Sequence, residues 1–172
     1  MMRMDKLEIK NLAYCKKHVP AISKWMWEEW DKKNGIPLKA IEYRTRHCLG
    51  KKSIPMTFVG IVNERPVATV SLWRNDVNSR QDLFPWLAAL FVAPEMRKLG
   101  LGREMQEFAL AKAGELGFGK IYLMTSYKNY YEKNGWKFID MAPLESRKKT
   151  RIYSHKLSSS PKNNDVYNPK NK

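Results

Sequence analysis

Apolar and polar positions repeat with two different periods along the chain, and the change of period separates predicted helices from predicted strands. Between residues 19 and 50, apolar side chains recur every third or fourth position, which is typical of helices with one buried face. The pattern predicts a first helix with Pro20 in its opening turn and Gly35 at its end, and a second helix over Pro37 to Gly50. Before them, the loosely alternating run Lys6 to Ala13 predicts a first strand.

β-branched residues dominate the chain after position 55. Two such runs flank the polar break Asn63-Glu64-Arg65, which predicts a hairpin over residues 56–74. A polar loop, residues 75–82, leads into LFPWLAALFVAP, whose lack of polar side chains predicts a central strand covered on both faces. The remaining pattern predicts a helix from Gly102 to Leu116, a short helix over YKNYYEKNG, and strands at KIYLMTS, WKFIDMA and TRIYSHKL.

The order of these elements, β-α-α-β-β-β-α-β-α-β-β, predicts the fold class. It is typical of an α/β protein of the α+β type, with a mixed, mainly antiparallel central sheet flanked by helices. We expect a single domain over residues 1–157. Residues 158–172 are polar and contain two prolines, so we expect a flexible carboxy-terminal tail.

The chain of 172 residues carries a formal net charge of +15. A field of that sign attracts nucleic acid, anionic lipid or a polyphosphorylated cofactor. The protein could equally be basic without such a partner, and charge alone does not distinguish these alternatives. It disfavours polycationic acceptors at long range unless acidic residues line their pocket. The longest apolar run is shorter than the roughly 20 residues that span a bilayer. The first residues lack an apolar signal core, so we expect a cytoplasmic protein with no membrane span.

The cysteines and histidines give no sign of a metal site. Cys15 and Cys48 stand alone in the sequence, which favours buried free thiols over a disulfide or a metal site. The three histidines have no ligand spacing: His18, His47 and His155. We therefore expect no metal.

A glycine turn with basic neighbours, PEMRKLGLGREM, lies between a predicted strand and a predicted helix. Strand, glycine turn and helix together form a phosphate cradle in principle, because the first N–H groups of a helix lack intrahelical partners. The string is not a P-loop, which needs GxxxxGK[ST]. It is not the dinucleotide fingerprint GxGxxG either, because Met105 occupies the place of the third glycine.

Three motifs in register resemble those of GNAT-type N-acetyltransferases. RKLGLG matches the family's pyrophosphate loop, [QR]-x-x-G-x-[GA], and YYEKNGWKFI resembles its F-Y-E-K-x-G-[FW] element. DLFPWLAALFVAPEMR resembles the D-L-T-P-W-L-A-x-x-x-V-x-P-x-x-R stretch of one bacterial branch. The resemblance is close from Asp82 to about Ile139, and outside that range it covers only the order and length of the elements.

The resemblance implies the acyl-CoA N-acyltransferase (GNAT) fold and acetyl-CoA as co-substrate. Main-chain N–H groups of the loop would hold the pyrophosphate, and Arg97 would help to shape that loop. Lys98-Leu99 departs from the family's usual pair, which leaves the detailed contacts open. The fourth strand would part from the fifth to admit the pantetheine arm, and Lys133 could touch the phosphates. The implied cofactor-binding residues are Leu90, Phe91, Val92, Arg97, Lys98, Leu99, Gly100, Leu101, Gly102, Arg103, Thr125 and Lys133.

The resemblance also implies a catalytic tyrosine. Tyr131 would be the general acid that protonates the departing thiolate, while Tyr130 is expected in the core. One N–H near Leu90 could stabilise the oxyanion. The base stays open between Asp82, Glu95 and water.

The sequence does not name the acceptor. Tryptophans could line its pocket, although helical spacing predicts that most are core: Trp25, Trp27, Trp30 and Trp73. We expect transfer of an acetyl group from acetyl-CoA to a primary amine of a small molecule or peptide, in a ternary complex. The alternative is a non-catalytic domain that senses acyl-CoA or binds nucleic acid, which no recognition motif favours. A homodimer, common in such proteins, is left open.

Overall fold

One sheet of seven strands forms the centre of the protein in the part of the chain that the computed structural model describes, residues 6–146 and 148–158. Every neighbouring pair of strands is antiparallel except β4 and β5, and the order across the sheet is β1-β2-β3-β4-β5-β7-β6. The predicted fold class, a mixed and mainly antiparallel sheet flanked by helices, is therefore confirmed. The strands are β1 (Glu8–Asn11), β2 (Met56–Val62), β3 (Arg65–Trp73), β4 (Trp86–Val92), β5 (Lys120–Thr125), β6 (Lys137–Pro143) and β7 (Lys149–Lys156).

Three α-helices of the described chain lie where the periodicity predicts them: α1 (Val19–Met26), α2 (Leu38–Arg46) and α3 (Leu101–Glu115). Pro20 stands in the first turn of α1, as expected. Beyond α1 the chain continues as a π turn, Trp27–Asp31, and a 3₁₀ turn, Lys32–Asn34. Gly35 closes this run with a φ of +74°, a left-handed conformation that glycine adopts without steric cost.

The predicted hairpin is formed by β2 and β3. Its two connecting residues, Asn63 and Glu64, both have positive φ, at 48° and 62°. A two-residue turn of this kind matches the right-handed twist of the strands that it joins. The polar break in the sequence is therefore a tight turn, and the hairpin prediction is confirmed.

The two faces of the sheet are covered by different elements. Helix α3 packs on one face, where Met105, Ala109 and Ala113 contact the sheet core. Helices α1 and α2 cover the β1–β3 half of the other face, and the loop of residues 74–85 covers its β5–β7 half. We call these the α3 face and the α1–α2 face. In β4, Trp86 lies on the α1–α2 face and Leu87 lies on the α3 face. Both are buried, which confirms a central strand covered on both sides.

The predicted short helix over residues 127–135 is wrong. The segment contains one 3₁₀ turn, Glu132–Asn134, and otherwise irregular backbone. Asn129 has a φ of +59°, a left-handed conformation that interrupts a right-handed helix. The segment after β5 is therefore a loop that carries three tyrosines.

Two sequence-based predictions concern the ends and surroundings of the chain. Apart from Ser158, the predicted tail lies outside the described residues, so the domain boundary at residue 157 stays a prediction. None of the helices in the described part of the chain has the length and apolar content that crossing a bilayer requires.

Candidate functional site

Strands β4 and β5 are paired at one end only. Trp86 pairs with Tyr122 near the amino-terminal ends of both strands, and the N–H of Tyr122 donates to the Pro85 carbonyl at 3.0 Å. Over the rest of these two described strands, toward Val92 and Thr125, no further residue pair joins them. We call the resulting gap the wedge. Unpaired main-chain groups along parted strands are free to bind a ligand.

A β-bulge distorts β4 beside the wedge. Thr69 pairs with Phe91, and Ser71 pairs with Ala88, so Ala89 and Leu90 together stand opposite a single residue of β3. Ala89 has a φ of +50°, which a residue with a side chain adopts at a cost of roughly 1–2 kcal/mol. Bulges of this kind redirect main-chain groups, and they are common beside active sites. The bulge therefore offers a main-chain donor close to Leu90.

The glycine loop follows β4 directly. Arg97 folds back on the end of the strand, where its Nε donates to the Val92 carbonyl at 3.0 Å and its guanidinium lies 5.5 Å from the centre of the Phe91 ring. Lys98 and Gly100 then adopt left-handed conformations, with φ of +64° and +85°. Helix α3 begins at Leu101. Arg97 is therefore bonded to the end of β4, directly before the loop that it is predicted to shape.

The start of α3 fits a pyrophosphate. Gly100 precedes the helix, and no side chain caps it, so the N–H groups of Leu101 and Gly102 face outward without a side-chain acceptor. A Cβ added at Gly100 would meet no described protein atom within 4 Å and would project into open space above the loop. The N–H of Arg103 already donates to the Gly100 carbonyl at 3.0 Å, so its predicted part in phosphate binding is not supported.

Tyr131 lies beside the wedge on the α3 face. Its ring packs against the same core as Leu90 and Val92, with the centre of the Trp136 ring at 6.2 Å. Burial raises the pKa of the Tyr131 hydroxyl above its ordinary value, and the neighbouring Tyr130 raises it further. The hydroxyl is therefore protonated at neutral pH and can donate a proton.

Tyr130 does not lie in the core, and the prediction that it does is wrong. Its side chain is 51% exposed. Its hydroxyl stands 3.9 Å from the place that a Cβ on Gly102 would occupy. The ring of Tyr130 therefore reaches over the first turn of α3, next to the proposed phosphate cradle.

Gln106 is a feature that the sequence does not reveal. It is 2% exposed, and neither polar atom of its amide has a hydrogen-bond partner among the described residues. It lies one helical turn after Gly102, where an added Cβ would contact Val92 and Tyr130, so Gln106 points to the same side of α3. An unpaired buried amide costs about 1–3 kcal/mol, which makes a ligand on that side a natural partner.

Asp82 is not brought to the wedge. It lies in the loop before β4, beyond the end at which β4 and β5 are still paired. Its two carboxylate oxygens accept hydrogen bonds from Arg80 at 2.8 and 2.7 Å, and Arg80 also bonds Asp140. This pairing lowers the pKa of Asp82 and makes it a weaker base. Position and pairing both argue against its predicted catalytic role.

Three of the four tryptophans that could line the acceptor pocket pack against the core, as predicted for most of them. Trp25, Trp27 and Trp73 are partly buried against the cluster under α1 and α2, whereas Trp30 is 37% exposed. The rings of Trp25 and Trp30 lie 5.3 and 6.4 Å from the ring of Phe91 on β4. They therefore form an aromatic wall on the α1–α2 face of the wedge.

Asp76 is a second feature that the sequence does not reveal. It lies in the 74–85 loop, and no ion pair or hydrogen bond engages its carboxylate in the described structure. Part of the residue stays accessible, but the carboxylate itself is closely surrounded, and this burial raises its pKa to about 6. The charge of Arg44 on α2 opposes the shift. Arg44 is itself bonded to Asp31 at 3.0 Å and lies 5.0 Å from the centre of the Trp73 ring.

The raised pKa of Asp76 predicts a pH-dependent stability. Folded protein holds this proton more tightly than unfolded chain, so the free energy of unfolding falls as the pH rises from about 4 through 6, by roughly 3 kcal/mol. Asp76→Asn should remove that loss and be the more stable protein at pH 7, while both proteins should be similar at pH 4. Urea unfolding at the two pH values measures the difference. Equal pH dependence in both proteins would contradict the prediction.

The other predicted residues occupy simpler positions. Lys133 and Leu99 are exposed, and Thr125 ends β5, where its hydroxyl accepts a hydrogen bond from the N–H of Tyr127 at 3.1 Å. Cys15 and Cys48 are free, as expected, but both are partly exposed, so the prediction that they are buried is wrong. No three His, Cys, Asp or Glu side chains within residues 6–146 and 148–158 lie close enough together to hold a metal ion.

The sequence matches the model of the acetyltransferase (GNAT) family over residues 19–136, which is more than half of the chain. The matched range includes the wedge, the glycine loop and Tyr131. No curated protein matches the sequence.

Solved acetyltransferase structures share the fold at low identity. An aminoglycoside 6'-N-acetyltransferase complexed with coenzyme A is 13% identical, with a TM-score of 0.71, over 90% of this chain and 99% of its own. An acetyltransferase from Streptococcus agalactiae 2603 is 23% identical, with a TM-score of 0.63, over 88% and 98%. An alanine N-acetyltransferase of a ribosomal protein, from Escherichia coli, is 17% identical, with a TM-score of 0.64, over 95% and 100%. Identities this low establish the fold alone.

Proposed function

The chain belongs to the GNAT family of acetyltransferases, and we propose that it transfers the acetyl group of acetyl-CoA to a primary amine, by direct attack while both substrates are bound. One observation carries the proposal: the glycine loop and the open end of the wedge lie at the same end of β4. A single extended molecule can therefore place a diphosphate at the start of α3 and a thioester between the parted strands.

The start of α3 would bind the diphosphate through main-chain groups. The N–H groups of Leu101 and Gly102, together with those of Lys98, Leu99 and Gly100, are the proposed donors. The partial positive charge of the helix start adds to the attraction, as does the exposed side chain of Lys98. Lys133 on the neighbouring loop is a further proposed cation.

The strands would hold the pantetheine arm and orient the thioester. Main-chain groups of Leu90, Phe91 and Val92 line one side of the wedge, with Thr125 at the end of the other. At the bulge, an N–H close to Leu90 would donate to the thioester oxygen and stabilise the negative charge that develops there. As the amine nitrogen bonds to the carbonyl carbon and the carbon–sulfur bond breaks, Tyr131 would give its proton to the sulfur, and the proton that the new amide nitrogen releases would restore Tyr131 through water.

The attacking amine must first lose a proton. An amine with a pKa of about 10.4 is neutral in only about one molecule in 10³ at pH 7. Because Asp82 is committed to Arg80, and Glu95 lies in the exposed turn after β4, we propose that water carries this proton to the solvent. Holding amine and thioester together in the wedge would then supply much of the rate.

Acetyl transfer is tested by release of CoA thiol from acetyl-CoA in the presence of an amine panel that includes peptides with free amino termini. The similar solved structures include an aminoglycoside acetyltransferase and an acetyltransferase of a protein alanine, so these names do not identify the acceptor of this chain. We expect at least one amine class to accelerate thiol release above the hydrolytic background. If none does, while calorimetry still detects CoA binding, the transferase proposal is wrong and acyl-CoA sensing replaces it.

Replacing Gln106 is expected to raise the stability of the unliganded protein and to lower its affinity for CoA. Gln106→Leu removes an unpaired buried amide and should raise the free energy of unfolding of the unliganded protein by about 1–2 kcal/mol. The same change should weaken CoA binding about tenfold, because the amide is then missing from the side of α3 that faces Val92 and Tyr130 beside the wedge. Thermal melting with and without CoA measures both effects. A stabilised protein with unchanged CoA affinity would show that Gln106 has no part in binding.

A further inference from the structure

A pocket of about 450 Å³ lies between the 74–85 loop and the hairpin that joins β6 to β7. Its volume lies within the range of small-molecule sites. Two hydrogen bonds tie its walls together: Asn78 Nδ2 donates to Glu145 Oε1 at 2.7 Å, and Ser79 Oγ donates to the Pro143 carbonyl at 2.8 Å. The described lining residues are Asp76, Asn78, Ser79, Pro143, Leu144, Glu145 and Ser146.

The described lining of this pocket is acidic although the protein is basic. It contains two carboxylates, Asp76 and Glu145, and no lysine or arginine, in a chain with a net charge of +15. Glu145 is already engaged by Asn78, but the carboxylate of Asp76 has no hydrogen bond or ion pair among the described residues. Arg44, the described cation whose charge acts on Asp76, is bonded to Asp31 instead. The pocket therefore presents an uncommitted negative charge in a closely packed place.

Asp76 adjoins further polar atoms without partners. Arg44 Nε and Trp73 Nε1 are both buried, and neither has a hydrogen-bond partner in the described structure. Trp73 contacts both clusters on the α1–α2 face, the one under α1 and α2 and the one under the 74–85 loop. Asp76 thus lies where the helices α1 and α2 adjoin the 74–85 loop on this face of the sheet.

The pocket lies within reach of the wedge. The hydroxyl of Thr150 donates to the carbonyl of Thr125 at 3.3 Å, so the β6–β7 hairpin stands at the same end of the sheet as the open end of β5. Strand β7 separates β5 from β6, which places the hairpin two strand spacings, roughly 10 Å, from the wedge. A flexible acceptor of that length can occupy both places at once.

From these contacts we propose that the acceptor is a small molecule with two cationic amines, one at the thioester and the other bound by Asp76 in this pocket. The inference rests on the proposed function, since it identifies the class of acceptor for that same site. Asp76 acts as a specificity-determining residue: it accepts hydrogen bonds from the distant ammonium and leaves the reacting amine to the wedge. Retaining a closely surrounded carboxylate that destabilises the fold is then explained by substrate binding.

The test compares three alkylamines as acceptors: 1,8-diaminooctane, n-octylamine, and the shorter 1,3-diaminopropane. We expect the long diamine to exceed n-octylamine at least about tenfold in kcat/KM, mainly through KM, and the short diamine to lose the advantage. Asp76→Asn should bring the ratio of the two octyl amines close to one. Glu8→Gln, on the opposite edge of the sheet, is the matched control and should leave the ratio unchanged.

The pH dependence of the same ratio gives a second readout. Both ammonium groups stay charged below pH 7, so a falling preference on acidification reports the protein's carboxylates. Among the described residues, the charged side chains that face Asp76 from the neighbouring elements are Arg44, held by Asp31, and Glu145. We expect the preference to fade as the pH falls through about 6 and to be flat in Asp76→Asn.

Calorimetry with 1,8-diaminooctane in the presence of CoA separates this inference from the transferase proposal, because it needs no turnover. Diamine binding that Asp76→Asn weakens supports the pocket assignment even if no thiol is released, and in that case only the transferase proposal fails. If folded wild-type protein and folded Asp76→Asn have the same ratio of kcat/KM for the two octyl amines, the inference is overturned. Turnover of peptide amines alone would overturn it as well, and the transferase proposal would stand.

Discussion

Gly100→Ala is expected to abolish measurable CoA binding, with a loss of affinity of at least about 100-fold, or about 2.7 kcal/mol. The added Cβ would meet no described protein atom within 4 Å, so it would project into the open space where the diphosphate is proposed to lie. A methyl group there keeps phosphate oxygens away from the N–H groups at the start of α3. Isothermal titration with CoA measures the loss.

The matched control for this prediction is Gly35→Ala. Gly35 also has a positive φ, +74° against +85° at Gly100, and an added Cβ there also meets no described atom within 4 Å. Both substitutions therefore carry the same backbone cost of about 1–2 kcal/mol, and only one of them lies at the proposed cradle. Thermal melting should show similar destabilisation for both. If Gly100→Ala binds CoA as well as Gly35→Ala does, the diphosphate does not lie at this loop.

Local signals explain which elements the sequence predicted well. A β-branched run on each side of Asn63-Glu64 indicates a hairpin, because the turn and its strands are neighbours in the chain. The glycine loop is encoded equally locally, by Gly100 between an apolar strand and a helical stripe. The helix predicted over residues 127–135 is wrong for a local reason as well. Asn129 adopts a left-handed conformation there, which asparagine permits but does not require.

Features of the candidate site that depend on distant residues were not predictable from the sequence. Gln106 reads as part of the polar face of α3, yet it is buried there. In the sequence, Asp76 is one polar residue in a polar loop. In the structure, α2 and the β6–β7 hairpin lie against that loop and surround the carboxylate. In both cases the burial is a property of the tertiary arrangement, which periodicity along one element does not report.

Tyr131→Phe is expected to lower kcat by roughly 10²-fold or more with the best acceptor, the scale of a lost general acid. The structure separates this effect from folding, because no hydrogen bond engages the Tyr131 hydroxyl among the described residues, so its removal leaves no partner unsatisfied. Thermal stability and CoA affinity should therefore change little. Tyr127→Phe, in the same loop and 65% exposed, is the control and should retain wild-type kcat.

The pH profile decides whether the missing hydroxyl acted as an acid. Only protonated Tyr131 can donate, so the rate should fall on the alkaline side, when the hydroxyl ionises. Burial and the neighbouring tyrosines raise the pKa of Tyr131, so this fall should come at a higher pH than an ordinary tyrosine would give, and it should be absent in Tyr131→Phe. A variant that is slow but keeps the same alkaline limb would show that Tyr131 positions the substrates. In that case water or another group would protonate the thiolate, and the wedge alone would account for catalysis.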